Sequence, residues 1–143
     1  MKHIAIVIFH DQKNIILQER GVHAKMGEKY GFWGGGIEKK ETPQQAIRRE
    51  LIEELNYSPK TLEFWTDYSF TVTQPGPHHG LDITLHIFLS PITEELLSSK
   101  IEEGSGFVTL SIQEALTHPD LDWVEREVVG KLNSFLWQIY PCP

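Results

Sequence analysis

The chain has 143 residues, a formal net charge of −7 at pH 7 and one cysteine. That length predicts one domain, spanning 1–143. The acidic balance excludes binding of long nucleic acid by charge alone, and a lone Cys142 excludes an internal disulfide. The apolar run Ile4–Phe9 is too short for a signal-peptide core or a membrane span. A cytoplasmic protein is expected, monomeric or homodimeric, away from membranes.

In chain order, Ile4–Phe9 is a continuous β-branched run and predicts a strand buried on both faces. A turn at His10–Asn14 leads to a second strand, Ile15–Arg20, in a hairpin. Gly21–Gly31 reads as a polar loop, and Gly34–Gly36 as a glycine turn. A helix is predicted from Thr42 to about Leu55. Thr42 is an N-cap, Pro43 suits the first helical position, Gln45 completes a capping box, and Asn56 can end the helix in the left-handed conformation. Leu62–Val72 and Leu81–Ser90 predict two strands joined by the polar stretch Thr73–Gly80. Pro91–Gly106 reads as a loop or short helix. Phe107–Leu116 reads as a strand, a cap at Ser111 and a brief helix. The chain closes on an amphipathic helix with Val124, Val128, Leu132 and Phe135 on one stripe. The expected fold class is a mixed sheet covered by helices.

Chemistry concentrates in the Thr42 helix. At 100° per residue, Glu50, Glu53 and Glu54 share an arc of roughly 100°, beside the apolar face of Ile47, Leu51 and Leu55. Like charges at i and i+4 cost a helix a few tenths of a kcal/mol. Arg49 can offset this through Glu53 and hold the carboxylates in place. A solvated acidic face is one reading. A site for a hard divalent cation is the other, because carboxylate oxygens suit Mg²⁺ or Mn²⁺ shared with a substrate's phosphates. The adjacent glycines favour the second, since they let the backbone approach a metal closely.

Gly35, Glu41, Arg49-Glu50, Leu51, Glu53-Glu54 and Tyr57 stand at the spacing of the Nudix box, and this segment resembles that family. One position departs: Asn56 stands where the family has glycine. The resemblance implies an α/β/α sandwich with a mixed β-sheet and hydrolysis of a nucleoside diphosphate linked to another group. It implies Mg²⁺ or Mn²⁺ held by Glu50, Glu53 and Glu54, joined by the Gly34 carbonyl. The implied catalytic set is Glu53, Glu54, Arg49 and a later glutamate, Glu102 or Glu103, with the base left between Glu53 and that later residue. Glu41 is expected to brace the loop–helix junction.

Upstream, "LQERGVHAKMGEKYGFWGGGIEKKETP" is similar to the MutT-like branch, with Arg20, Met26, Lys29 and Phe32 in register. That likeness implies Arg20 on a phosphate and Phe32 stacked on a base. Trp33, Gly36 and Leu81 depart from the branch. A small-molecule nucleoside triphosphate is the expected substrate. A nucleotide sugar or ADP-ribose is the alternative, and a non-catalytic nucleotide sensor is the alternative of another class. His78 and His79 read as a solvent loop, and Trp65, Tyr68 and Phe70 as sheet-face packing.

Overall fold

The computed structural model describes residues 1–20, 29–99 and 106–140. Its strands are β1 (Lys2–His10), β2 (Asn14–Glu19), β3 (Tyr30–Gly31), β4 (Trp33–Gly36), β5 (Glu63–Thr71), β6 (Asp82–Pro91) and β7 (Gly106–Ser111). Its helices are α1 (Pro43–Leu55), α2 (Glu94–Leu97), α3 (Ile112–Ala115) and α4 (Trp123–Ile139). Among the described residues no helix is long and apolar enough to cross a membrane.

Among the described residues the sheet has seven strands and is mixed. Its spine runs β3-β2-β1-β6-β5, with β4 also on β1 and β7 also on β2. β1 and β6 are parallel along their whole length, whereas β5 and β6 are antiparallel. The predicted β1–β2 hairpin forms, but it pairs only at its base, through Phe9↔Ile16 and His10↔Ile15. Beyond that point the two strands splay. β4 takes the vacated edge of β1, from Ile4↔Gly36 to Val7↔Trp33, and β3 takes the end of β2. The segment read from sequence as a glycine turn is therefore a strand. Without side chains it shows no period-2 pattern, and only the distant β1 reveals it.

Alternation along β1 explains its continuous hydrophobicity. Ala5, Val7 and Phe9 face α1, in a core with Trp33, Ala46, Ile47, Leu51, Leu55 and Phe88. Ile6 and Ile8 face α4, in a second core with Ile87, Val128, Val129 and Leu132. A helix on each side of the sheet makes the α/β/α sandwich. Trp65 packs on Phe135, and Phe70 packs on both Tyr68 and Trp123, so the β5 aromatics serve sheet-face packing.

Candidate active site

α1 begins and ends where its caps demand. Thr42 Oγ1 accepts from the Gln45 N–H at 3.1 Å and the Gln45 side chain accepts from the Thr42 N–H at 2.9 Å. Asn56, at φ 50 and ψ 41, donates its N–H to the last turn. Fixing both ends sets the helix phase, with Ile47 and Leu51 inward and the acidic arc at the rim of the core. The arc is graded. Glu54 is 7% exposed. The Glu50 side chain is 16% exposed and that of Glu53 55%.

Strand β4 is the reason two carboxylates can lie so deep. The Gly34 N–H donates to Glu54 Oε1 at 3.1 Å. Gly34 has φ +145, and a Cβ there would collide with the Ala5 carbonyl across the β1–β4 pairing. At Gly35 a Cβ would stand 2.6 Å from Glu50 Cδ, so the carboxylate rests directly on bare backbone. Gly35 thus leaves the space that the Glu50 carboxylate fills, whereas Gly34 is bare because β1 passes too close for a side chain and its N–H serves Glu54.

Arg49 organises the rest. Its Nε donates to Glu41 Oε2 at 2.7 Å and its Nη2 to Glu41 Oε1 at 3.0 Å, a bidentate fork. Nη1 donates to Glu50 Oε1 at 2.9 Å and reaches Glu53 Oε2 at 3.5 Å, while Nη2 also donates to the Gly36 carbonyl at 3.1 Å. Glu41 accepts the Glu38 N–H as well, at 2.9 Å. The Arg49 fork, and then this backbone bond, hold the Glu41 carboxyl down at about 2. The fork to Glu41, and then the bond to Glu50, raise the guanidinium further above its ordinary range. The expected brace at Glu41 is therefore built, and Arg49 is its other half.

One guanidinium faces four carboxylates, those of Glu38, Glu41, Glu50 and Glu53, and Glu54 adds a fifth nearby. This donor set is all hard oxygen and strongly anionic, which fits Mg²⁺ or Mn²⁺. Among the described residues no three His, Cys, Asp or Glu side chains converge as a preformed metal cluster. Arg49 and the Gly34 N–H hold Glu50 and Glu54 on separate partners, and Glu53 faces solvent. A cation that keeps several waters and borrows phosphate oxygens needs only one or two protein carboxylates at once. Glu102 and Glu103 lie outside the described residues.

On the α4 side of the sheet, a cavity of about 270 Å³ opens beside the same glycine strand. Arg20 and Phe32 both line it, together with Gly34, Gly35 and Gly36. Phe32 is the joint between β3 and β4, at the point where β1 and β2 splay, so its ring enters the α4-side core while Trp33 enters the other. The two residues proposed from sequence to touch substrate therefore meet in one place, with the carboxylates behind the strand. Sequence reading missed Lys2 and Glu125 on the walls and left Asp122 without a role; His78 is exposed in the β5–β6 connection, as read, and also lines the cavity. No local motif marks them, because their meeting depends on the β5–β6 connection and the start of α4 folding over β1.

The NUDIX domain model matches residues 1–132. The chain is 43% identical over 58 residues to the 8-oxo-dGTP diphosphatase of Escherichia coli (strain K12), covering 40% of this chain and 45% of that protein. It is 41% identical over 54 residues to the 8-oxo-dGTP diphosphatase of Proteus vulgaris, covering 37% and 48%. The matched segment thus spans less than half the length of these relatives. Among solved structures, the E. coli ORF135 protein superposes with a TM-score of 0.72 at 24% identity, over 100% of this chain and 95% of that one. The MutT protein from Methanosarcina mazei Go1 superposes with a TM-score of 0.75 at 14% identity, over 94% of both chains. At these identities the likeness establishes the fold, which is the sandwich expected from the sequence.

Proposed function

The chain belongs to the NUDIX family, and from that membership we propose that it is a metal-dependent pyrophosphohydrolase of nucleoside triphosphates, releasing a nucleoside monophosphate and pyrophosphate. One observation carries this reading: the Arg49-braced carboxylates of α1 and the Arg20–Phe32 cavity share a single wall, the glycine strand β4. A phosphate chain laid along that strand would lie between a metal held by carboxylates and a pocket for the nucleoside.

Glu50, Glu53 and Glu54 would hold Mg²⁺ or Mn²⁺, with the Gly34 carbonyl as a further oxygen donor. A bound divalent cation would supply charge neutralisation of the phosphates and a more acidic water. The chain's own residues do the rest. Arg49 holds Glu50 at the strand and reaches the solvent-facing Glu53, which offsets the mutual repulsion of the two. Phe32 presents a ring to the base, and Arg20 a guanidinium to phosphate. Glu53 is the most exposed of the three carboxylates, and so the one free to take a proton from water and pass it to solvent. The names of the two bacterial relatives support a triphosphate as the substrate class.

The test is a panel of ordinary and oxidised nucleoside triphosphates, nucleotide sugars, ADP-ribose and dinucleotides with Mg²⁺ or Mn²⁺, followed by phosphorus NMR in oxygen-18 water. Pyrophosphate and a monophosphate released from a triphosphate are expected. Cleavage of a nucleotide sugar or ADP-ribose alone would overturn the substrate class. Tight binding without turnover of anything would replace the enzyme with a nucleotide sensor.

A further inference from the structure

We propose that Lys2 is a substrate-phosphate ligand in this active site, reaching the glycine strand from β1. The proposal rests on the triphosphate reading above. The β1–β4 register places Ile4 opposite Gly36, so Lys2 lies one period-2 step beyond the end of β4. By alternation it shares the face of Ile4 and Ile6, which is the cavity face. Lys2 is exposed at the mouth of the cavity, but its stem lies along the strand. It lines the cavity, and its Cε lies 3.9 Å from the point where a Cβ of Gly36 would stand. That is the nearest approach recorded for Gly36, whose lack of a side chain leaves the space over the strand to the lysine stem.

The local charge balance says what this ammonium is for. Arg49, the cation on the carboxylate side of β4, is committed to Glu38, Glu41, Glu50 and Glu53. Among the described residues Lys2 makes no ion pair and no side-chain hydrogen bond, so its ammonium is available to a ligand. A cation without a partner among the described residues, with its stem over bare backbone beside a cavity, matches the phosphate tail of a nucleotide better than its base. Lysine serves such a place as a compact point charge. The ligand class is the polyphosphate chain, and Arg20, on another wall of the cavity, is the second cation facing it.

The test compares Lys2→Ala, Lys2→Arg and the double variant Lys2→Ala/Gly36→Lys with the wild type, using the triphosphate that turns over best. Lys2→Ala is expected to raise KM roughly 10- to 100-fold, the range of one charge-assisted hydrogen bond, with kcat within about threefold. Lys2→Arg should keep most of the affinity. The double variant should recover it, because a lysine rooted at Gly36 starts where the stem of Lys2 now passes. Calorimetry with inorganic pyrophosphate and Mg²⁺ should show the same loss in Lys2→Ala, and binding of the unphosphorylated nucleoside should not change. An unchanged KM in Lys2→Ala, or an equal loss of affinity for the nucleoside, would overturn the proposal. If the wild type hydrolyses no triphosphate, the functional reading falls by itself, and the pyrophosphate calorimetry decides Lys2 alone.

Discussion

Glu54 carries two jobs on one carboxylate: it accepts the Gly34 N–H and it belongs to the anionic arc. Glutamine keeps the acceptor and removes the charge. Glu54→Gln should therefore fold normally, with a melting temperature within about 2 °C of the wild type. Its turnover should fall by more than about 100-fold, since outer-shell partners of metal sites alone cost about 10- to 100-fold. Unchanged turnover would remove Glu54 from the metal set. Gly35→Ala tests the space under Glu50 from the other side, because the new methyl must displace the Glu50 carboxylate. Its expected loss of turnover is of the same order as that of an outer-shell partner, about 10- to 100-fold. The Arg49–Glu41 fork has a pH signature. The Glu41 carboxyl is lowered from 4.5 to about 2, so its stabilising contribution is fully present above 4.5 and is lost as pH falls toward 2. In Arg49→Gln the Glu41 carboxyl should rise from about 2 toward 4.5, with the Glu38 N–H still lowering it, read by carbon-13 NMR, and the Arg49 part of the acid loss of stability should vanish. A Glu41 carboxyl that stays near 2 in the variant would assign its shift to the Glu38 N–H instead.

At the level of elements, α1 was the most legible part of the chain because its signals are local. Thr42, Pro43, Gln45 and Asn56 act within a turn of themselves, and each sits where the caps were read. Asn56 stands in the left-handed region at φ 50. Asn56→Gly should change stability by no more than a few tenths of a kcal/mol, whereas Asn56→Ala should cost about 1 kcal/mol. Thr42→Ala should also cost about 1 kcal/mol, through the lost cap. Urea denaturation measures all three, and an Asn56→Ala variant as stable as the wild type would mean the cap conformation carries no strain. β4 was the least legible element. Its glycines carry no hydrophobic pattern, and its partner β1 is about thirty residues away. The same blindness hid the splay of β1 from β2, because nothing in a hairpin sequence says where a third strand will intrude.

For the whole molecule, the sheet is a partition. One core faces α1 and its acidic arc, the other faces α4 and the cavity, and β4 borders both sides. A cation that binds only the folded carboxylate set stabilises the entire sandwich by mass action, by about 2.7 kcal/mol at a hundredfold excess over its dissociation constant. Adding Mg²⁺ or Mn²⁺ should therefore raise the melting temperature of the wild type, and the rise should shrink in Glu50→Gln and Glu54→Gln. An equal rise in all three proteins would place the cation elsewhere.

Local sequence was enough to place the helix α1, the carboxylates at one rim of it, the brace at Glu41 and a mixed sheet covered by helices, because capping, periodicity and residue spacing act over a few residues at a time, whereas the sandwich class came through resemblance. Arg20 and Phe32 could be named as substrate residues only through resemblance. That they meet in one cavity with Gly34–Gly36, that Gly35 receives the Glu50 carboxylate, and that Lys2 lies over Gly36 were decided only by the tertiary structure. These are contacts between strands distant in the chain. They arise from sheet register and the packing of two helices on opposite faces, which no local run of residues encodes.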